Sequence, residues 1–314
     1  MPEPVCQPRR PLGRTGFVAT PLGIGDLADR AIPLDTCVAT ARRALDAGLN
    51  LIDTAPSYED GYSEAIVGRA VREFGAAGGG RDSLFVIDKI DDHDAPVTDQ
   101  IDASLTRLGL THTDAFVYHA LSSMDTWNRI ATEAMHELSL CIKAGKTRFK
   151  GISSHSPEVL HAAVTSGLCD LVLFPIGAFV DPGFLEILPL AKQHKVATVC
   201  FKSFGAGKLV GDTTGYQRPL QSRPRGKASS GGSDDTAPTL PRLTIEDCLH
   251  YTLSHDPDVA LLGMSFPNEQ DAAFAAYTSY RGPLPADRLA DIRRRAAQAR
   301  QFKGPCWWNP NPEA

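Results

Sequence analysis

No apolar run in this 314-residue chain approaches the roughly 20 residues that cross a bilayer as a helix, so no membrane partner is expected. Basic blocks are missing as well. The net charge of −5 is mild and its Lys and Arg residues are dispersed, which argues against a nucleic-acid surface. None of the seven cysteines (Cys6, Cys37, Cys141, Cys169, Cys200, Cys248, Cys306) stands in a CxxC pair. Their odd, scattered set fits a reducing cytoplasm better than a disulfide framework, and no metal site is expected. The Pro- and Arg-rich stretch from Met1 to Arg14 has no h-region of a secretory signal. The GxGxxG fingerprint is missing from the first strand–helix unit, which counts against a Rossmann domain.

What is present is a steady alternation of strand-like and helix-like segments. A hairpin over Arg10 to Ala19, turning at Arg14-Thr15-Gly16, precedes a first apolar strand near 20–24. Strands are predicted near 49–53, 84–88, 114–119, 147–153, 170–174, 196–201 and 258–262. Helices are predicted near 35–48, 62–74, 96–108, 126–144, 156–166, 183–194, 243–254 and 267–278, with a charged amphipathic helix near 285–302 and a tail containing Trp307 and Trp308. Such alternation implies parallel strands joined by right-handed crossovers. A doubly wound sheet would share it, but eight units in roughly 250 residues match a (β/α)8 TIM barrel. The expectation is one barrel domain over residues 1–314, with the hairpin at one end and the C-terminal helix and tail at the other. The Gly- and Ser-rich segment 213–240 breaks the rhythm and reads as a mobile loop insertion, either a lid or a linker.

Four residues stand at or just past strand ends: Asp53 and Tyr58 after the second strand, Lys89 after the third, His119 after the fourth. In a barrel of parallel strands these ends share one mouth, where chemistry takes place. Taken singly they mean less. Asp53 between a strand and a helix could be an N-cap, and a lone Tyr or Lys in a loop is more often surface. His112, His136, His161, His194, His250 and His255 have no such context and read as solvated or structural.

The order and spacing of the four resemble the aldo-keto reductase family, from Leu12-Gly-Arg-Thr-Gly near the start to Gly263-Met-Ser near the end. Asp53-Thr-Ala-Pro-Ser-Tyr58 matches that family's Asp-Thr-Ala-x-x-Tyr signature. The resemblance implies reduction of an aldehyde or ketone, with Tyr58 as general acid, Lys89 as its tuner, Asp53 as the partner of Lys89, and His119 as orienter. The chemistry suits those residue types. A tyrosine of pKa about 10 is protonated at neutral pH and can donate. An ammonium beside it favours the tyrosinate, and a carboxylate keeps that ammonium charged. An imidazole can donate to the developing oxyanion.

The same resemblance implies NADP(H) as cofactor, with NAD(H) as the alternative. Lys150-Gly-Ile-Ser-Ser-His155 resembles the segment that grips the nicotinamide carboxamide, through Ser153 and Ser154, the latter in place of Asn. Gly25 and Asp26 belong to the implied cofactor set. Leu173 and Ile176 stand where Gln and an aromatic are usual. The loop Phe201-Lys-Ser-Phe-Gly-Ala-Gly-Lys-Leu209 resembles the pyrophosphate loop. Its Phe204, Gly205, Gly207, Lys208 and Leu209 would bring glycine backbone, free N–H groups and a cation to the phosphates. Gly263, Ser265 and Gln270 fall in the adenosine-side segment, where Lys or Arg commonly pairs the 2′-phosphate. From Gly263 to Ala276 this chain has neither, and Arg281 is a candidate substitute.

Two other functions share the sequence. Lys202 or Lys89 could form a Schiff base in an aldolase-like barrel, and a cofactor-binding barrel with little turnover could serve as a sensing subunit. His155 reads as a loop residue or a substrate contact, with the loop favoured, and the tail tryptophans as cover for a core edge. The partner expected is a small carbonyl compound. Monomer is the default, and the resemblance implies that the loops after strands 4 and 7, with the tail, set specificity.

Overall fold

The computed structural model describes residues 6–26, 29–210, 242–301, 306, 308 and 309. The segment 213–240 read as a lid or linker lies outside them, as does Trp307. Two short antiparallel strands, β1 (Arg10–Pro11) and β2 (Val18–Ala19), form the hairpin. Eight parallel strands follow: β3 (Leu22–Ile24), β4 (Leu51–Asp53), β5 (Phe85–Ile90), β6 (Ala115–Leu121), β7 (Phe149–Ser154), β8 (Leu171–Pro175), β9 (Ala197–Phe201) and β10 (Val259–Leu262). They close into a barrel in sequence order, with β10 pairing back onto β3. The closed ring decides between the barrel and the doubly wound sheet in favour of the (β/α)8 architecture.

Helices α1 (Leu34–Asp46), α2 (Tyr62–Ala76), α3 (Val97–Leu108), α4 (Met124–Arg129), α5 (Met135–Lys143), α6 (Pro157–Thr165), α7 (Ile187–His194), α8 (Ile245–Ser254) and α9 (Pro267–Ser279) surround the strands, and α10 (Ala286–Ala299) follows. Local chemistry sets several starts. Ser156 accepts from the Val159 N–H to cap α6, and Thr244 with Asp247 forms a capping box on α8. The helix predicted over 126–144 is α4 and α5 joined by a π turn over Ile130–Ala134. Trp127 is buried in the shell between barrel and helices, so it belongs to the outer core.

The barrel interior shows why distant residues meet. Its strands contribute side chains two residues apart: Phe85 and Ile87, Ala115 and Val117, Leu171 and Leu173, Ala197 and Val199, Val259 and Leu261. The intervening residues, such as Val86, Phe116, Val172 and Leu262, face the helices. Strand side chains alternate with a period of two. One further step along each strand therefore brings Gly25, Asp53, Lys89, His119, Ser153, Pro175, Phe201 and Gly263 to the inward positions at the C-terminal rim.

Candidate active site

Asp53 and Lys89 form a buried ion pair on adjacent strands, each about 2% exposed. Lys89 Nζ donates to Asp53 Oδ2 at 2.7 Å and to the Thr54 carbonyl at 2.7 Å. It also hydrogen-bonds Tyr58, whose ring centroid lies 4.4 Å from Nζ. Burial pulls the Lys89 pKa down, but the Asp53 carboxylate and the Tyr58 phenol outweigh it and hold the ammonium well above its ordinary value. A permanently charged donor thus rests on the tyrosine. Asp53 is no N-cap, since α2 begins at Tyr62 after Gly61.

Tyr58 is held by the coil that joins β4 to α2. Glu59, Asp60 and Gly61 all have left-handed backbone, with φ of 51°, 48° and 81°, which non-glycine residues adopt at a cost of about 1–2 kcal/mol each. Arg30 stabilises this turn by donating to the Glu59 carbonyl from Nε at 2.9 Å and Nη2 at 2.6 Å, and it pairs with Asp60 at 3.2 Å. The Tyr58 and His119 rings meet edge to face at 5.5 Å.

His119 sits where β6 breaks register, between Tyr118 and Leu121. The break is fixed by Ala120, which has a φ of 56° and donates its N–H to Ser153 Oγ at 2.8 Å. His93 Nε2 donates to the His119 carbonyl at 2.8 Å. The His119 Nδ1 hydrogen-bonds Asp91 Oδ1. Burial raises the Asp91 pKa, but His119 and the Ser57 backbone bring it below its ordinary value, so the group is a carboxylate and Nδ1 is the donor.

The remaining sequence candidates divide. Ser153 lies in the inward layer beside His119. Ser154 lies one residue on and faces the shell, where its hydroxyl donates to the Leu121 carbonyl and accepts the Ser156 N–H at 3.0 Å. Leu173 fills the barrel interior and Ile176 the shell. Gly25 and Gly263 are inward on neighbouring strands; a Cβ at Gly263 would come within 3.5 Å of the Asp26 carbonyl and nothing closer. Gln270 is fully buried between α1 and α9, accepting from Arg43 at 3.0 Å and donating to the Thr40 carbonyl at 2.9 Å. Ser265 donates its N–H to the Glu269 carboxylate at 3.0 Å. Arg281 donates to the Thr278 carbonyl past the far end of α9. That 13-residue helix puts it about 20 Å from Ser265 at 1.5 Å per residue, too far to replace a cation there.

The loop after β9 differs from its expected form. The N–H groups of Gly205, Gly207, Lys208 and Leu209 donate to carbonyls of Lys202, Phe204 and Gly205 within the loop, so they are not the free donors anticipated. Gly205, Ala206 and Gly207 take φ of 55°, 51° and 85°, and this tight coil carries Phe204. Lys208 is fully buried, with Nζ 5.8 Å from the Trp308 ring, and Lys202 Nζ lies 5.4 Å from the same ring.

Three further residues join the mouth. Phe201 is the inward residue at the end of β9, two after Val199, a period-two signal the sequence carried. His155 packs edge to face on Phe201 at 5.5 Å and is no mere loop residue. Burial, with help from Lys202 and His119, lowers its pKa to about 3, so it is neutral. Asp91 is the third.

The Aldo/keto reductase family model matches residues 21–278. The chain belongs to the aldo/keto reductase family. Aldo-keto reductase YhdN of Bacillus subtilis is 30% identical over 216 residues, 64% of this chain and 63% of its own length. The match thus spans less than two thirds of that relative. An Escherichia coli protein named NADH-specific methylglyoxal reductase is 27% identical over 233 residues, 65% of this chain and 69% of its own. Among solved structures, the holo form of an aldo-keto reductase from Bacillus halodurans superposes with a TM-score of 0.69 at 20% identity, covering 94% of this chain and 99% of that one. That likeness establishes the fold.

Proposed function

We propose that this protein is an NAD(P)H-dependent oxidoreductase that reduces aldehydes or ketones to alcohols, and oxidises the alcohols in reverse, with Tyr58 as the proton donor. The observation that carries the proposal is the buried Asp53–Lys89 pair resting on Tyr58, with the His119 ring beside it. In reduction, Tyr58 gives its proton to the carbonyl oxygen as negative charge develops there. The Lys89 ammonium stabilises the phenolate left behind, and Asp53 keeps that ammonium charged and fixed. His119 donates a hydrogen bond to the same oxygen and sets the angle of the carbonyl.

The residues of the rim fit a nicotinamide dinucleotide. Gly263 leaves the rim open to a flat ring, Ser153 offers a hydroxyl, and Phe201 offers an aromatic face. When bound, the nicotinamide supplies the hydride. NADPH is the family's default. The Glu269 carboxylate on the Ser265 N–H and the lack of Lys or Arg from 263 to 276 bring NADH into range, as does the name of the Escherichia coli relative. Engagement of Ser154 and loss of the usual Gln at 173 leave fewer carboxamide contacts, which favours a sensing barrel as the second function.

The test is a titration with NADPH and NADH read by quenching of tryptophan fluorescence, followed by cofactor oxidation over a panel of aldehydes and ketones. Binding of at least one cofactor with turnover of some carbonyl is expected. Binding without turnover across the panel would favour the sensing function, and no binding of either cofactor would overturn both.

A further inference from the structure

We infer that Asp91 is a positioning residue that ties the Tyr58 loop to His119 and fixes the His119 proton on Nδ1, so that His119 donates to a substrate oxygen only as the imidazolium. The inference rests on the reductase proposal for its substrate, and on the geometry of Asp91 alone for its proton. Asp91 stands two residues after Lys89, one period-two step further up the rim. Its Oδ1 takes the His119 Nδ1 and its Oδ2 accepts the Ser57 N–H at 2.7 Å. Ser57 immediately precedes Tyr58. One carboxylate therefore braces the proton donor's segment against the orienting imidazole, above the Asp53–Lys89 pair that braces the donor from below.

An ionised carboxylate only accepts hydrogen bonds, so Nδ1 carries the hydrogen. A neutral imidazole has one N–H, which leaves Nε2 an acceptor; the imidazolium donates from both nitrogens. The charged form therefore suits a carbonyl oxygen, which needs a donor. In the reverse direction the alcohol's single O–H proton returns to the Tyr58 phenolate, and the imidazolium still donates to the same oxygen. In reduction the hydride goes to the carbonyl carbon, the Tyr58 proton goes to the oxygen, and the His119 proton stays where it is. A carboxylate in contact with an imidazole also favours the imidazolium. Other groups facing His119 include Tyr58 at 5.5 Å between rings, His155 within electrostatic reach, and His93 on its backbone carbonyl. Lys89 lies over the Tyr58 ring, and Lys202 bears on His155. Of these contacts, Asp91 is the one that brings opposite charge to the ring.

The experiment compares wild type, Asp91→Asn and Asp91→Glu by 15N NMR of the His119 ring and by pH profiles of kcat/KM in both directions. In wild type the neutral ring carries its proton on Nδ1. In Asp91→Asn the His119 titration moves down by about one pH unit or more. The alkaline limb of reduction moves down with it, while cofactor affinity changes less than about twofold. Asp91→Glu restores the titration toward wild type. A neutral wild-type ring protonated on Nε2 would overturn the inference, as would an Asp91→Asn variant with unmoved titration and profiles. If Asp91→Asn fails to fold, the wild-type tautomer decides alone. The NMR arm needs no substrate, so a lack of turnover would bring down the reductase proposal and leave this test standing.

Discussion

The rim formed by β4, β5 and β6 holds Asp53 with Lys89 and Asp91 with His119, two acid–base pairs in successive layers. The rim formed by β8, β9 and β10 presents Pro175, Phe201 and Gly263 at the same height, above Leu173, Val199 and Leu261. One side is built from charge, the other from shape. Buried charge is specified by partners: Lys89 stays an ammonium because Asp53, Thr54 and Tyr58 surround it. Shape is specified by what is small and by how the backbone coils, as in the left-handed run from Gly205 to Gly207. Proton chemistry belongs on the charged side, and a flat aromatic cofactor suits the other.

This contrast can be broken from the charged side with the largest effect. Lys89→Met strands the Asp53 carboxylate without its ammonium, and breaking a buried pair costs about 3–5 kcal/mol. Denaturant unfolding should show that loss. Any carbonyl turnover should fall by about 10²-fold or more, because the phenolate loses its stabilising cation.

An intermediate effect is expected on the open side. Gly263→Val places a branched side chain at the rim where the nearest atom to a Cβ is the Asp26 carbonyl at 3.5 Å. The fold should tolerate it, with Tm nearly unchanged, while calorimetry should show cofactor affinity down by about tenfold, or 1.4 kcal/mol. A large loss of Tm with affinity intact would mean that the glycine serves packing.

The smallest effect sharpens the cofactor question. Glu269→Lys replaces the carboxylate on the Ser265 N–H with a cation at the start of α9. A 2′-phosphate should gain from that exchange by about 1 kcal/mol, so the ratio of NADPH to NADH affinity should rise roughly fivefold, with NADH affinity little changed.

Much of this molecule was legible from its sequence because parallel strands buried on both faces read as apolar runs. Asp53, Lys89 and His119 each terminate such a run at the next inward step. Ser154 shows the limit of that reasoning. One residue past Ser153, it flips to the opposite face, and strand parity rather than motif resemblance decides where its hydroxyl goes. Arg281 shows a second limit, since nearness along the chain is lost across a 13-residue helix. Asp91 was hidden in Asp91-Asp-His-Asp94, which reads as a polar loop until its first residue is seen to follow directly on the end of β5, one step above Lys89. The N–H groups of the loop after β9 pointed to phosphate only until its coil was seen to use them itself.

The proposed source of the proton is Tyr58. It is tested most directly by measuring single-turnover cofactor oxidation for wild type and Tyr58→Phe with the same carbonyl, alongside cofactor affinity for both. The expected loss is roughly 10²–10⁴-fold in rate with affinity unchanged within about twofold. Full turnover by Tyr58→Phe would contradict it.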